Sequence, residues 1–194
     1  MPPKLDWGAP LPSSLRALFP TPPTRSMRCA EIGSCSGEGA LVIEDYLCGG
    51  HPESRLYCVD PWDDVYVRDD PTGILSDFDH LCKDQYARFV ENTAGREKIV
   101  QMRGTSDAVI PDLPGELDFA YVDGNHDPDQ VCRDGLGVLQ KVGAGGVVLF
   151  DDYGWAYRGL RTKLGIDRVV EEWRDRTLIV LKTEQQLALR VTRA

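Results

Sequence analysis

Two aspartates, Asp151 and Asp152, stand side by side where the apolar run 147–150 ends, followed by the aromatics Tyr153 and Trp155. Adjacent carboxylates repel one another, and any loss of solvent adds to the cost. Three more acids, Glu31, Asp60 and Asp123, also follow short apolar runs. Glu31 precedes "GSCSGEG" (33–39), whose Gly33, Gly37 and Gly39 allow a sharp turn and close approach of backbone N–H groups to a ligand. That spacing is GxxxGxG, not the GxGxxG of dinucleotide-binding folds. An acid just before the first glycine suits a ligand carrying an ammonium group, and Asp60 is placed to accept hydrogen bonds from two ribose hydroxyls. Taken singly, the glycines are also explained by a plain strand-to-helix turn and Asp60 by a helix cap. Together they favour a nucleoside ligand. His126, three residues after Asp123, is a side chain suited to taking a proton near neutral pH.

These groups must be carried by elements, and the chain supplies them in alternation. Strands are predicted at 27–33, 55–60, 98–104, 117–124 and 147–153. Helices are predicted at 38–50, 79–96, 128–146 and 159–176, and a terminal hairpin at 177–183 and 187–193. A long charged loop spans 61–78. Alternation of this kind indicates an α/β fold, a mostly parallel sheet with helices on both faces. Such sheets bind ligands at the carboxyl ends of their strands. Glu31, Asp60, Asp123, Asp151 and Asp152 all fall there.

Length and charge narrow the classes. The 194 residues accommodate one domain, 27–194, preceded by a proline-rich, broken N-terminal arm, 1–26. A net charge of −9 argues against a nucleic-acid or anionic-membrane partner. No apolar run approaches a membrane span and no signal segment opens the chain. The six cysteines form no CxxC pair and read as reduced, mostly buried thiols, which places the protein in the cytoplasm.

The glycine segment and Asp60 resemble motifs I and II of the class I S-adenosylmethionine-dependent methyltransferases. The resemblance implies a Rossmann-like methyltransferase fold, with a seven-stranded, mostly parallel sheet ending in a C-terminal antiparallel hairpin. It implies that Glu31 lies near the methionine amino end of S-adenosylmethionine, that residues 33–39 with Ser34 and Ser36 wrap it, and that Asp60 holds the ribose. By the same likeness Ser106 and Asp107, in "GTSD" (104–107), lie against the adenine, with Trp62 either stacked near the base or anchoring the core or loop. "VDGNHD" (122–127) and "LFDDY" (149–153) resemble the metal-dependent O-methyltransferases, both the catechol type and the macrolide-sugar, macrocin type. The likeness spans residues 27 to about 183 and implies Asp123, Asp151 and Asp152 as ligands of Mg²⁺ or another divalent cation.

The chemistry of Mg²⁺ agrees, since it prefers hard oxygen ligands and keeps positions for water or substrate. The implied activity is O-methylation of a small-molecule hydroxyl, a sugar or glycoside favoured over a catechol or phenol. Asp123 and His126 form the catalytic pair. His126 stands where the catechol enzymes carry a lysine, so its role as base competes with substrate contact, support of a ligating carboxylate, and a turn residue capping the next helix. Tyr66, Asn125, Tyr153 and Trp155 are candidate acceptor contacts, and the aromatics are equally suited to a lid or homodimer contact. A nucleic-acid methyltransferase would share the cofactor half, but no [DN]PP[YF] motif is present. A non-catalytic or NAD-binding α/β domain is the reading from another class, disfavoured by the glycine spacing.

Overall fold

Strands that are apolar on both sides need cover on both faces, and four strands here have that character. The computed structural model describes residues 10–62, 84–157 and 159–193. Its strands β1 (Arg28–Ile32), β2 (Arg55–Asp60), β3 (Ile99–Arg103), β4 (Leu117–Val122) and β5 (Val142–Phe150) pair in parallel in the order β3-β2-β1-β4-β5. The chain runs outward from β1 to β2 and β3, then returns to place β4 on the other side of β1. The sheet therefore has a switch point between β1 and β4, where ligands of such sheets bind. A short separate hairpin, β6 (Ala156–Tyr157) and β7 (Leu160–Arg161), follows β5. The expected C-terminal hairpin, β8 (Thr177–Lys182) and β9 (Leu187–Val191), completes a seven-stranded sheet, with β9 antiparallel to β5.

Alternation of side chains along the strands makes two cores. Ala30, Ile32, Val59, Ala120, Val122, Val148 and Phe150 face Ile110 and the helices α5 (Pro128–Leu139) and α6 (Thr162–Glu172). On the opposite face Cys29, Cys58, Phe119, Tyr121, Val147 and Leu149 meet α1 (Leu11–Leu18), α2 (Glu38–Ile43) and α3 (Gln85–Asn92). α2 runs on into a π-helical turn, Glu44–Cys48. The short α4 (Ser106–Val109) follows β3 and leads into a 3₁₀ turn.

Several boundaries differ from expectation: the helix expected over 79–96 ends at Asn92, and others shift for local reasons. The helix expected over 128–146 stops at Leu139, and β5 begins at Val142. The glycines of 143–146 form an irregularity in the β4–β5 ladder, whose register passes from Leu117↔Val142 to Phe119↔Val147. Gly145 has φ +85°, and a Cβ on Gly146 would lie 2.6 Å from the Leu117 carbonyl oxygen. The helix expected over 159–176 occupies Thr162–Glu172, because the small hairpin takes its first residues. Within the expected arm, α1 buries Leu11, Leu15 and Leu18 at helical spacing against the second core. The loop 61–78 and its Tyr66 lie, from residue 63 onward, outside the described residues.

Because Leu15 is fully buried, Leu15→Ala is expected to cost roughly 2–5 kcal/mol in urea denaturation, whereas a loosely attached arm would lose almost nothing.

Candidate active site

The register sets the site. Glu31 is level with Cys58 on one side and Tyr121 on the other, Tyr121 with Leu149, and Leu149 with Ala188. Two residues further toward the carboxyl edge, on the same face, come Asp60, Gly33, Asp123, Asp151 and Gln186. Backbone bonds continue the pairing there: Gly33 N–H donates to the Val59 carbonyl, Asp123 to Ile32, and Asp151 to Val122. Of the acids expected at strand ends, Asp60, Asp123 and Asp151 thus form one row on one face, with Glu31 one step below it and Asp152 one residue beyond.

The glycine segment forms a cradle over Glu31. Gly33 has φ +90°, and a Cβ there would lie 2.2 Å from the Asp123 carbonyl oxygen. A Cβ on Gly39 would lie 2.2 Å from Glu31 Oε1, so no larger residue fits above that carboxyl. Glu31 is 1% exposed, and among the described residues its Oε2 has no hydrogen-bond partner, nor does Ser34 Oγ. Burial pushes the Glu31 carboxyl up from 4.5 to about 8. A buried acid with an unmatched oxygen beneath a glycine cradle fits a cationic ligand group such as the ammonium of S-adenosylmethionine. Asp60 accepts the Cys35 N–H at 2.9 Å and the Trp62 N–H at 2.7 Å, each oxygen keeping a lone pair. Burial raises its pKa despite these bonds.

Trp62 is 4% exposed and lies in the core against Phe89, with its indole N–H donated to the Cys35 carbonyl at 2.7 Å. It anchors the glycine loop. Ser36 Oγ donates to Glu38 at 2.6 Å, and Asn92 on α3 holds the Ser36 carbonyl. Ser106 and Asp107 open α4 and are tied to α5, Ser106 Oγ through Gln130 at 3.1 Å and Asp107 through Arg133 at 3.4 Å.

Next to this cradle, a cleft is lined by Asp123, Asn125, His126, Asp151, Asp152 and Thr162. Asp152 has φ +55°, a left-handed backbone that aspartate tolerates at a cost. That turn sends Asp151 and Asp152 in different directions. Asp152 meets His126, Nε2 to Oδ2 at 2.6 Å, and the His126 ring lies 4.5 Å from Trp155. Ligand atoms of Asp123, His126 and Asp152 fall within 4.8 Å of one another. This set shares Asp123 and Asp152 with the expected three carboxylates. Asp151 is instead held from behind, by the Tyr121 hydroxyl at 2.6 Å and the Gln186 amide at 2.9 Å. Burial, then the charges of Asp151, Asp152 and Glu31, pushes Asp123 well above the usual carboxylate range, and burial likewise raises Asp151. So concentrated a set of oxygen donors, in which burial and mutual repulsion penalise the charged form until a cation arrives, is chemically matched to a hard divalent cation.

The remaining candidates divide. Asn125 accepts the Asp127 N–H in a turn, and Asp127 caps α5, accepting from Asp129 and Gln130. Tyr153 is 6% exposed and packs in the core, with its hydroxyl bonded to Asp167 at 2.9 Å and Lys163 at 2.8 Å. It braces α6 and does not line the cleft. Trp155 stands beside it. Sequence reasoning missed Tyr121, Gln186, Ser14 and Thr162. Tyr121 was within reach, because it precedes Asp123 by two residues on a strand. Nothing local marks Gln186 or Ser14.

Glu31 gives a signed pH dependence. Its folded pKa lies above its unfolded value, so its contribution to stability is complete below about 4.5 and is lost as pH rises to about 8. Urea denaturation of the ligand-free protein is expected to show stability falling across that window, and Glu31→Gln to flatten the fall.

Residues 30–153 match the methyltransferase domain family, while no curated protein matches the sequence. Among solved structures, the O-methyltransferase NovP superposes with a TM-score of 0.72 at 15% identity, over 94% of this chain and 80% of that one. The O-methyltransferase TomG from Streptomyces achromogenes, solved with S-adenosylmethionine, gives 0.62 at 18% identity, over 98% and 83%. The methyltransferase PaMTH1 from Podospora anserina, bound to S-adenosylhomocysteine, gives 0.62 at 16% identity, over 94% and 78%. At such identities the likeness establishes a shared fold. The matched segment runs from Ala30 to Tyr153 and so contains the glycine cradle, Glu31, Asp60, Asp123, Asp151 and Asp152: the chain belongs to the methyltransferase domain family.

Proposed function

We propose that the protein moves the methyl group of S-adenosylmethionine to a hydroxyl oxygen of a small molecule, a sugar or glycoside, with a divalent cation held by Asp123, Asp151 and Asp152. The observation that carries this reading is the adjacency of two unlike acidic sites on one face of the sheet. One is the buried Glu31, whose Oε2 has no partner among the described residues; the other is the carboxylate cleft one strand away. When bound, S-adenosylmethionine supplies an electrophilic methyl group and the cation supplies Lewis acidity toward a hydroxyl acceptor.

The chain's own residues do the rest. Glu31 takes the ammonium end of the cofactor, and the remaining lone pairs of Asp60 take ribose hydroxyls. Ser106 and Asp107 flank the base. In the transfer the acceptor oxygen forms a bond to the methyl carbon as the carbon–sulfur bond breaks, and the hydroxyl proton leaves to a base. His126, with Nε2–H donated to Asp152, carries its lone pair on Nδ1, the atom that receives that proton. Trp155, packed on His126, offers a face for a sugar or phenol ring. Asn125 adds an amide at the rim. These contacts hold the oxygen in line, the positional contribution that a displacement needs.

A second arrangement is favoured by the convergence of Asp123, His126 and Asp152. Two carboxylates and an imidazole suit a transition metal such as Zn²⁺ or Fe²⁺, and His126 is then a ligand and not the base.

Methyl transfer from labelled S-adenosylmethionine to a panel of glycosides and catechols is expected to favour glycosides, to vanish in EDTA and to return with Mg²⁺. Full activity in EDTA contradicts the metal reading. His126→Gln is expected to lower kcat about 10²-fold or more while leaving Mg²⁺ affinity intact. A loss of metal affinity instead would assign His126 as a ligand.

A further inference from the structure

Among the acids of the cleft, Asp151 is the one with both oxygens held by neutral donors. The Tyr121 hydroxyl on β4 donates to Oδ2 at 2.6 Å, and the Gln186 amide, at the entrance to β9, donates to Oδ1 at 2.9 Å. Behind Gln186 stands Ser14 of α1, whose hydroxyl donates to the Gln186 amide oxygen at 2.5 Å. Ser14, Tyr121 and Gln186 are 4%, 1% and 0% exposed. Tyr121 and Gln186 reach Asp151 directly and Ser14 reaches it through Gln186, from three separate elements.

Folding alone gives no reason for this chain of polar groups. The buried positions of α1 other than Ser14 are Leu11, Leu15 and Leu18, and an apolar residue at 14 would extend the same stripe. The polarity of the bonds supplies the reason. An ionised carboxylate only accepts hydrogen bonds, so the Gln186 amide nitrogen must face it. The amide oxygen then points away and requires a donor, which Ser14 provides. Without that hydroxyl the buried amide oxygen would be left with no donor, and the Gln186 side chain would lose the contact that holds it in place against Asp151. Such outer partners orient a ligating carboxylate.

We propose that Ser14 and Gln186 are positioning residues that fix the Asp151 carboxylate in the cation cleft, so that helix α1 supports the active site while touching neither cofactor nor acceptor. This rests on the cation reading above.

The test uses the full chain, with Mn²⁺ affinity read from the electron paramagnetic resonance of free Mn²⁺ and S-adenosylhomocysteine affinity by calorimetry. Wild type is expected to bind Mn²⁺. Ser14→Ala and Gln186→Met are each expected to weaken Mn²⁺ binding about 10-fold or more, with S-adenosylhomocysteine affinity within about twofold of wild type. Because the two act through one path, the double variant is expected to bind Mn²⁺ no more weakly than Gln186→Met alone. Unchanged Mn²⁺ affinity in folded Ser14→Ala or Gln186→Met protein, a parallel loss of both ligands, or additive losses in the double variant would overturn the proposal. Ser14→Ala, a deletion of one oxygen, stands in should Gln186→Met fail to fold. Absence of Mn²⁺ binding by wild type would overturn the cation reading and this proposal together, whereas binding unaffected by the variants overturns this proposal alone.

Discussion

The constraint on which the site depends is the two-residue period of parallel strands that end together. It lifts Asp60, Asp123 and Asp151 to one face and one edge, with Glu31 one step below. Burial and mutual repulsion follow, and both raise the cost of charge there. A sheet used only for folding would disperse or neutralise such a row. Here it is kept, and in the proposed reading a cationic ligand group at Glu31 and a cation in the cleft relieve it. On that reading, cofactor and metal would answer one electrostatic problem.

Backbone strain separates the two solutions. Three non-glycine residues with positive φ, Cys35, Trp62 and Asp152, lie at the site. Cys35 and Trp62 bring their N–H groups onto Asp60, and the Trp62 indole closes the loop onto the core. Asp152 turns its carboxylate toward His126 while Asp151 stays against Tyr121 and Gln186. Strain of this kind persists only where surrounding packing over-determines it. Phe89 beneath Trp62 and the buried hydroxyl–amide chain behind Asp151 provide that packing.

Much of this was legible before any coordinates. Buried parallel strands read as apolar runs, and the acids that end four of the five, all but β3, are visible without knowing the fold. The glycine spacing was legible for the same reason, because Gly33 and Gly39 leave no room for a Cβ. What was hidden depends on direction and on distant partners. Tyr153 and Trp155 look alike in sequence, yet Tyr153 packs inward to Asp167 and Lys163 and Trp155 packs on His126. Gly143, Gly145 and Gly146 read as a helix exit because a bulge needs the same residue type. Prolines at 10 and 12 concealed the leucine stripe of α1, and with it Ser14. Gln186 is 172 residues from Ser14, so no local pattern pairs them.

The most direct test of the central claim is the position of a bound cation. A crystal structure grown with S-adenosylhomocysteine and Mn²⁺, phased to show the anomalous scattering of Mn²⁺, reads it without assumption. The account predicts one peak in the cleft, coordinated by carboxylate oxygens of Asp123, Asp151 and Asp152 with the His126 ring off the ion. No peak there, or a peak ligated by His126 with Asp151 left aside, would contradict it.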